Sequence, residues 1–196
     1  MTTFYLIRHA LNDFVGLRLA GWMTGVHLND DGRLQARRLA EKLAPAGITK
    51  IYSSPLERAL ETAQPLAEAT GLKVQTNQSF VEIQAGAWVG KRFDELKEDP
   101  QWQAFNQFRS GVRVPGGELM LETQTRMVTE MLQLRDTQPD GKIAIVSHAD
   151  PIRAALVFFL GMPLDFYQRV EVSPASYSIV TVEAWGPVVN TLNVVV

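Results

Sequence analysis

The sequence predicts an α/β fold built around a parallel sheet. Phe4-Tyr5-Leu6-Ile7 is a short aromatic and β-branched run, apolar at consecutive positions, as strands covered on both faces are. Similar runs at 48–53 and 142–147 each lead into a stretch with helix-start residues and a helical apolar stripe. The first and last of these runs end in histidine, at His9 and His148. Open α/β sheets bind ligands at the carboxyl ends of their strands. Arg8-His9, a cation beside a titratable imidazole, is therefore a candidate anion site containing a nucleophile or an acid/base. The competing reading of that pair is a solvated strand end.

Composition narrows the function classes. The chain has 196 residues, enough for one domain with a substantial core. Hydrophobic residues make up 46% and charged residues 20%, an ordinary globular balance. A formal net charge of −2 argues against general attraction to nucleic acid or acidic membrane, so any anion site is a local concentration of charge. With no cysteine there is no disulfide, thiolate or zinc-cysteine chemistry, and three histidines without metal spacing argue against a metal site. The start of the chain lacks a signal-peptide pattern and no apolar run approaches ~20 residues. A soluble, cytoplasmic protein is expected.

The elements follow in order. Residues 10–28 form a long irregular segment containing Arg18, and long loops in compact domains are often functional. Asn29 is a good N-cap for a helix with Ala36, Leu39, Ala40 and Leu43 on one face, stopped by Pro45 and Gly47. After a strand at 48–53, Ser54-Pro55-Leu56-Glu57 reads as a capped helix start with Glu57 closing a capping box. Leu56, Ala59, Leu60 and Ala63 form its stripe and Gly71 its end. Arg58 lies in the first turn, where a helical side chain leans back over the sheet edge; the alternative is a plain surface arginine. Residues 73–83 read as a third extended piece, with Glu82 on the opposite face from Val81 and Ile83.

Residues 86–117 read as a helical insertion on the sheet edge and part of a lid, with short helices at 93–99 and 101–109 packed by Trp88 and Trp102. A turn at 115–118 leads into a helix to about Arg135, with Leu121, Val128 and Leu132 on one face. Asp150-Pro151 reads as an N-cap followed by proline, and Ile152, Ala155, Leu156 and Phe159 face inward. Residues 177–184 and 188–196 read as two terminal strands.

If the histidine-ended strands are adjacent and parallel, Arg8, His9, Arg58 and His148 converge at one edge. Their charges suit a phosphate dianion, which arginine binds bidentately. One imidazole can attack phosphorus and a carboxyl group can protonate the leaving oxygen, without a metal or other cofactor.

Four motifs sharpen this. Arg8-His9-Ala10, Tyr52 to Ala59 with Thr62-Ala63, Glu82 followed by Gly86 to Gly90, and Val146-Ser147-His148 occur in that order. Together they resemble the histidine phosphatase superfamily, also called the phosphoglycerate mutase-like family. Asn29 to Ala36 and Pro115 to Glu118 extend the resemblance over nearly the whole chain. It implies a single α/β domain, a three-layer sandwich with helices on both faces of a mainly parallel, six-stranded sheet. It also implies a phosphohistidine on His9, phosphoryl binding by Arg8, Arg58 and His148, and Glu82 as acid/base. The chain departs from the family pattern at Ala10 and Leu11-Asn12, where Gly, Glu and Thr are frequent; the family's phosphate-contacting asparagine, a few residues on, has no clear counterpart, Val15 or a gap falling there, and Asn12 is the candidate substitute. Ala149-Asp150 replaces the usual pair of glycines. Arg18 either reaches a substrate's outer groups or is a solvated loop arginine.

The expected function is hydrolysis of a small phosphorylated metabolite or other phosphomonoester. The alternatives are a phosphomutase of the same family and a phospholigand-binding protein that does not turn over. A chain this short has little insertion with which to exclude water, which favours hydrolysis.

Overall fold

A computed structural model describes residues 1–196. Six strands form one sheet: β1 (Thr2–Arg8), β2 (Lys50–Ser53), β3 (Val74–Thr76), β4 (Lys142–Ser147), β5 (Tyr177–Glu183) and β6 (Gly186–Val194), in the order β3-β2-β4-β1-β5-β6. The first four in that order are parallel, β5 is antiparallel to β1, and β6 is antiparallel to β5. The mainly parallel α/β sheet is as expected from the sequence.

Alternation along the central strands explains the layers, because successive side chains point to opposite faces. Phe4 and Leu6 of β1, with Ile143 and Ile145 of β4, pack against α5 (Met120–Thr137) and α6 (Ala149–Phe159). Tyr5 and Ile7, with Ala144 and Val146, pack against α1 (Asp30–Leu43) and α2 (Glu57–Thr70). Asn29 caps α1 as expected, accepting from the Gly32 N–H at 2.9 Å. None of the helices is long and apolar enough to cross a membrane.

Residues 86–117 carry two short helices, α3 (Phe93–Lys97) and α4 (Pro100–Gln107). Trp88 and Trp102 pack edge to face with centroids 5.1 Å apart, and both join the larger core. Asp165 accepts from the Ser110 N–H and Oγ–H at 2.8 Å each, tying the segment to the turn at Leu164–Arg169.

Four local expectations are corrected. The second helix starts at Glu57, with Leu56 at its N-cap, and not at Ser54. The Ser54 N–H still donates to the Val146 carbonyl of β4, so the chain remains extended there, and Glu57 accepts from Gly25 in place of closing a capping box. The third strand is only Val74–Thr76; a 3₁₀ turn at Gln78–Phe80 buries Phe80 and redirects the chain before Glu82. The buried stripe of α5 is Met120, Met127, Val128, Met131 and Leu134, leaving Leu121 exposed. Asp150 is the second residue of α6 and does not cap it: His148 holds the cap position, and Asp150 accepts from the Tyr167 hydroxyl at 3.2 Å.

Candidate active site

Strand register brings the site together. Arg8 of β1 lies beside Ser147 of β4, and Ser53 of β2 lies beside Val146 on the other side of β4. The three strands end at one level, so His9, Ser54 and His148 leave the same edge. The His9 N–H donates to the Ser147 carbonyl at 2.9 Å, holding His9 against β4.

His9 is oriented by its own chain. Nδ1 lies 2.8 Å from the Ala10 carbonyl oxygen. A carbonyl only accepts, so Nδ1 carries the proton and Nε2 keeps its lone pair. The Ala10 N–H donates to the Thr62 hydroxyl, which donates to the Arg58 carbonyl, so α2 braces the turn after His9. Burial, then the charges of Arg58 and Arg8, hold the His9 pKa well below the usual imidazole range. The ring is therefore neutral at neutral pH.

His148 is fully buried, with its ring centroid 5.2 Å from that of His9. Nε2 lies 2.8 Å from Ser54 Oγ and Nδ1 has no partner. Burial and Arg58 also depress its pKa.

Arg58 is a buried cation and Arg8 a half-buried one, each with donors to spare. Arg8 Nη1 donates to the Val172 carbonyl at 2.7 Å and Arg58 Nη2 to the Gly21 carbonyl at 2.8 Å. Arg8 Nε and Arg58 Nη1 have no partner in the protein. Buried unpaired donors are rare, and here two guanidinium N–H groups and one imidazole nitrogen cluster beside His9. Such unpaired guanidinium donors are able to bind an anion.

Glu82 is partly buried, and its Oε1 accepts from the Ile83 N–H at 2.9 Å. Burial, reinforced by the nearby Asp150 charge, pushes its pKa up to about 7, against the pull of that N–H, Arg58 and Arg8. Its backbone is fixed by Arg126, which donates to the Glu82 carbonyl at 2.9 Å and pairs with Glu118 at 3.1 Å. Glu118 is the strut under this segment, accepting from the Gln84 N–H at 2.8 Å.

Arg8, His9, Asn12, Arg18, Arg58 and Glu82 line one cavity of ≈ 530 Å³. His148 stands directly behind His9, ring against ring, and its neighbour Ala149 lines the cavity. Asn12 is buried and accepts from the Phe14 N–H at 2.9 Å. Arg18 stands on the exposed rim and donates to the Gly90 carbonyl. The structure adds Arg109, Asp150, Arg153 and Tyr167 to the wall. For Asp150 the departure from the family's glycines was a signal; Arg109, Arg153 and Tyr167 carry none in sequence.

The histidine phosphatase superfamily (branch 1) model matches residues 4–195. The chain belongs to this superfamily. It is 30% identical over 201 residues to phosphoserine phosphatase 1 of Hydrogenobacter thermophilus, covering 99% of this chain and 93% of that one. It is 31% identical over 181 residues to a Yersinia pestis protein named as a probable phosphoglycerate mutase, covering 91% and 84%. The structure of Entamoeba histolytica phosphoserine phosphatase with 3-phosphoglyceric acid superposes with a TM-score of 0.89 at 26% identity, covering 99% and 98%.

Proposed function

We propose that this superfamily member is a phosphomonoesterase that passes the phosphoryl group through His9. The observation that carries the reading is the free Nε2 of a neutral His9, set among buried N–H donors that lack partners. Nε2 attacks phosphorus in line as the bond to the leaving oxygen breaks. Arg8, Arg58 and His148 hold the equatorial oxygens, with the Ser54 hydroxyl donating to His148 Nε2 and leaving Nδ1–H, which has no partner in the protein, to donate to the phosphoryl group. Asn12 supplies a further contact and Arg18 meets the substrate's outer part.

Glu82, protonated at the start, gives its proton to the leaving alkoxide. It then takes one from the water that attacks the phosphohistidine, and inorganic phosphate departs. The substrate is a small phosphorylated metabolite. Residues 86–117 act as a fixed lid, a role supported by the Ser110–Asp165 anchor and by the cavity-lining Phe93, Trp102 and Arg109. Hydrolysis over phosphoryl return to a second alcohol is supported by the exposed rim at Gly16 and Arg18, which admits water.

The test is trapping with a labelled activated aryl phosphate. Acid-labile, alkali-stable label on His9 and release of inorganic phosphate are expected, with neither in His9→Ala, which keeps its fold. Normal turnover by His9→Ala removes the proposal. A phosphoglycerate mutase assay run alongside separates hydrolysis from isomerisation.

A further inference from the structure

One wall of the cavity carries charge that phosphoryl transfer does not use. Arg109, just beyond α4, is 5% exposed. Its guanidinium carbon sits 4.3 Å from the ring centroid of Phe105 and 4.3 Å from that of Tyr167. Nη2 donates to Asn106, but Nε and Nη1 are buried without a hydrogen-bond partner. Asp150 Oδ2 lies 3.5 Å from Nη1, and Oδ1 lies 3.9 Å from Arg153 Nη1. Both gaps are too long for a good hydrogen bond. Two guanidinium groups and a carboxylate thus share the cavity in slack contact.

A guanidinium clamped between two rings cannot turn toward other acceptors, and its unpaired donors cost free energy until something fills them. The planar fork best matches a carboxylate. The carboxylate of Asp150 beside it repels a purely anionic group and attracts an ammonium. Paired opposite charges at this spacing fit a ligand carrying both signs on neighbouring atoms.

We infer that this wall is a zwitterion subsite, in which Arg109 takes the carboxylate and Asp150 the ammonium of a phosphorylated hydroxy-α-amino acid whose phosphoryl group lies at His9. The inference rests on the hydrolytic reading above and names its substrate class. Tyr167 holds Asp150 in place from the turn at Leu164–Arg169, its hydroxyl donating to Asp150 Oδ1 at 3.2 Å.

The test compares four phosphomonoesters of a primary alcohol. Phosphoserine carries both charges, and 3-phosphoglycerate has a hydroxyl where phosphoserine has its ammonium. Phosphoethanolamine lacks the carboxylate, and glycerol 3-phosphate lacks both. An aryl phosphate serves as control. In the wild-type enzyme kcat/KM for phosphoserine exceeds that for each of the other three by at least about tenfold, since buried polar groups left unpaired penalise the wrong substrate.

Asp150→Asn brings the phosphoserine to 3-phosphoglycerate ratio to within about threefold, because only the ammonium contact distinguishes the two. Arg109→Gln does the same for phosphoserine against phosphoethanolamine. Because Arg109 is buried and its variant can fail to fold, the wild-type panel and Asp150→Asn test the inference without it. Aryl phosphate turnover with a flat panel, or a preference for 3-phosphoglycerate, overturns the subsite and leaves hydrolysis standing. No turnover of any ester overturns both.

Discussion

Replacing Glu82 by Gln removes a transferable proton while keeping size and the capacity to accept from the Ile83 N–H. With a pKa of about 7, Glu82 is roughly half protonated at neutral pH. General acid catalysis supplies ~10²–10⁴-fold, or ~2.7–5.4 kcal/mol at ~1.36 kcal/mol per tenfold. An alkoxide leaving group needs all of that help, whereas an aryl oxide bearing electron-withdrawing groups needs little. Single-turnover phosphorylation of His9 should therefore slow by ~10²–10⁴-fold with alkyl phosphates and only slightly with such an aryl phosphate. Above pH 7 the wild-type rate on alkyl esters falls by about tenfold per unit, and that limb disappears in the variant. Stability moves in the same window. The raised pKa means the native state holds the proton more tightly than the unfolded chain between 4.5 and about 7, so wild-type stability falls as pH rises through that range. The variant escapes this loss, and its Tm rises relative to wild type from pH 5 to pH 8. Equal losses for alkyl and aryl esters would refute the acid role and leave Glu82 a structural carboxylate.

Arg58→Ala should raise KM and lower kcat, cutting kcat/KM about ten- to a hundredfold, from ~1.5–3 kcal/mol for one hydrogen bond to a charged group. Inorganic phosphate should no longer raise Tm in this variant; an undiminished thermal shift would place Arg58 outside the anion site. Gly32→Ala should destabilise the protein by about 1–3 kcal/mol, because the new Cβ would lie 1.9 Å from the Leu11 carbonyl oxygen. Denaturant unfolding measures it, and an unchanged midpoint would mean that the turn after His9 yields without cost.

Local, periodic features were readable from the residues alone. The consecutive apolar positions of β1 and β4 required burial on both faces, hence helices on each side of the sheet. Arg8, His9, Arg58 and Glu82 were legible because strand ends in parallel sheets face one crevice, and because ordered motifs pinned them to a known family. His148 was legible for the same reason, at the end of β4.

Which polar atoms meet was settled by packing. Ser54 looked like a helix cap because Ser-Pro commonly opens helices, but pairing with β4 and His148 held it out of the helix. Asp150 looked like a cap for the same local reason, yet Tyr167, seventeen residues on, and Arg109 turn it into the cavity wall. Glu118 and Arg126 brace Glu82 from more than thirty positions away. Spacing along the chain carries no record of such partners, because long-range hydrogen bonds and buried charge pairs are set by packing, not by helical or strand period. The edge that carries Arg8 and His9 was therefore readable from sequence, while the wall of Arg109, Asp150 and Tyr167 was not.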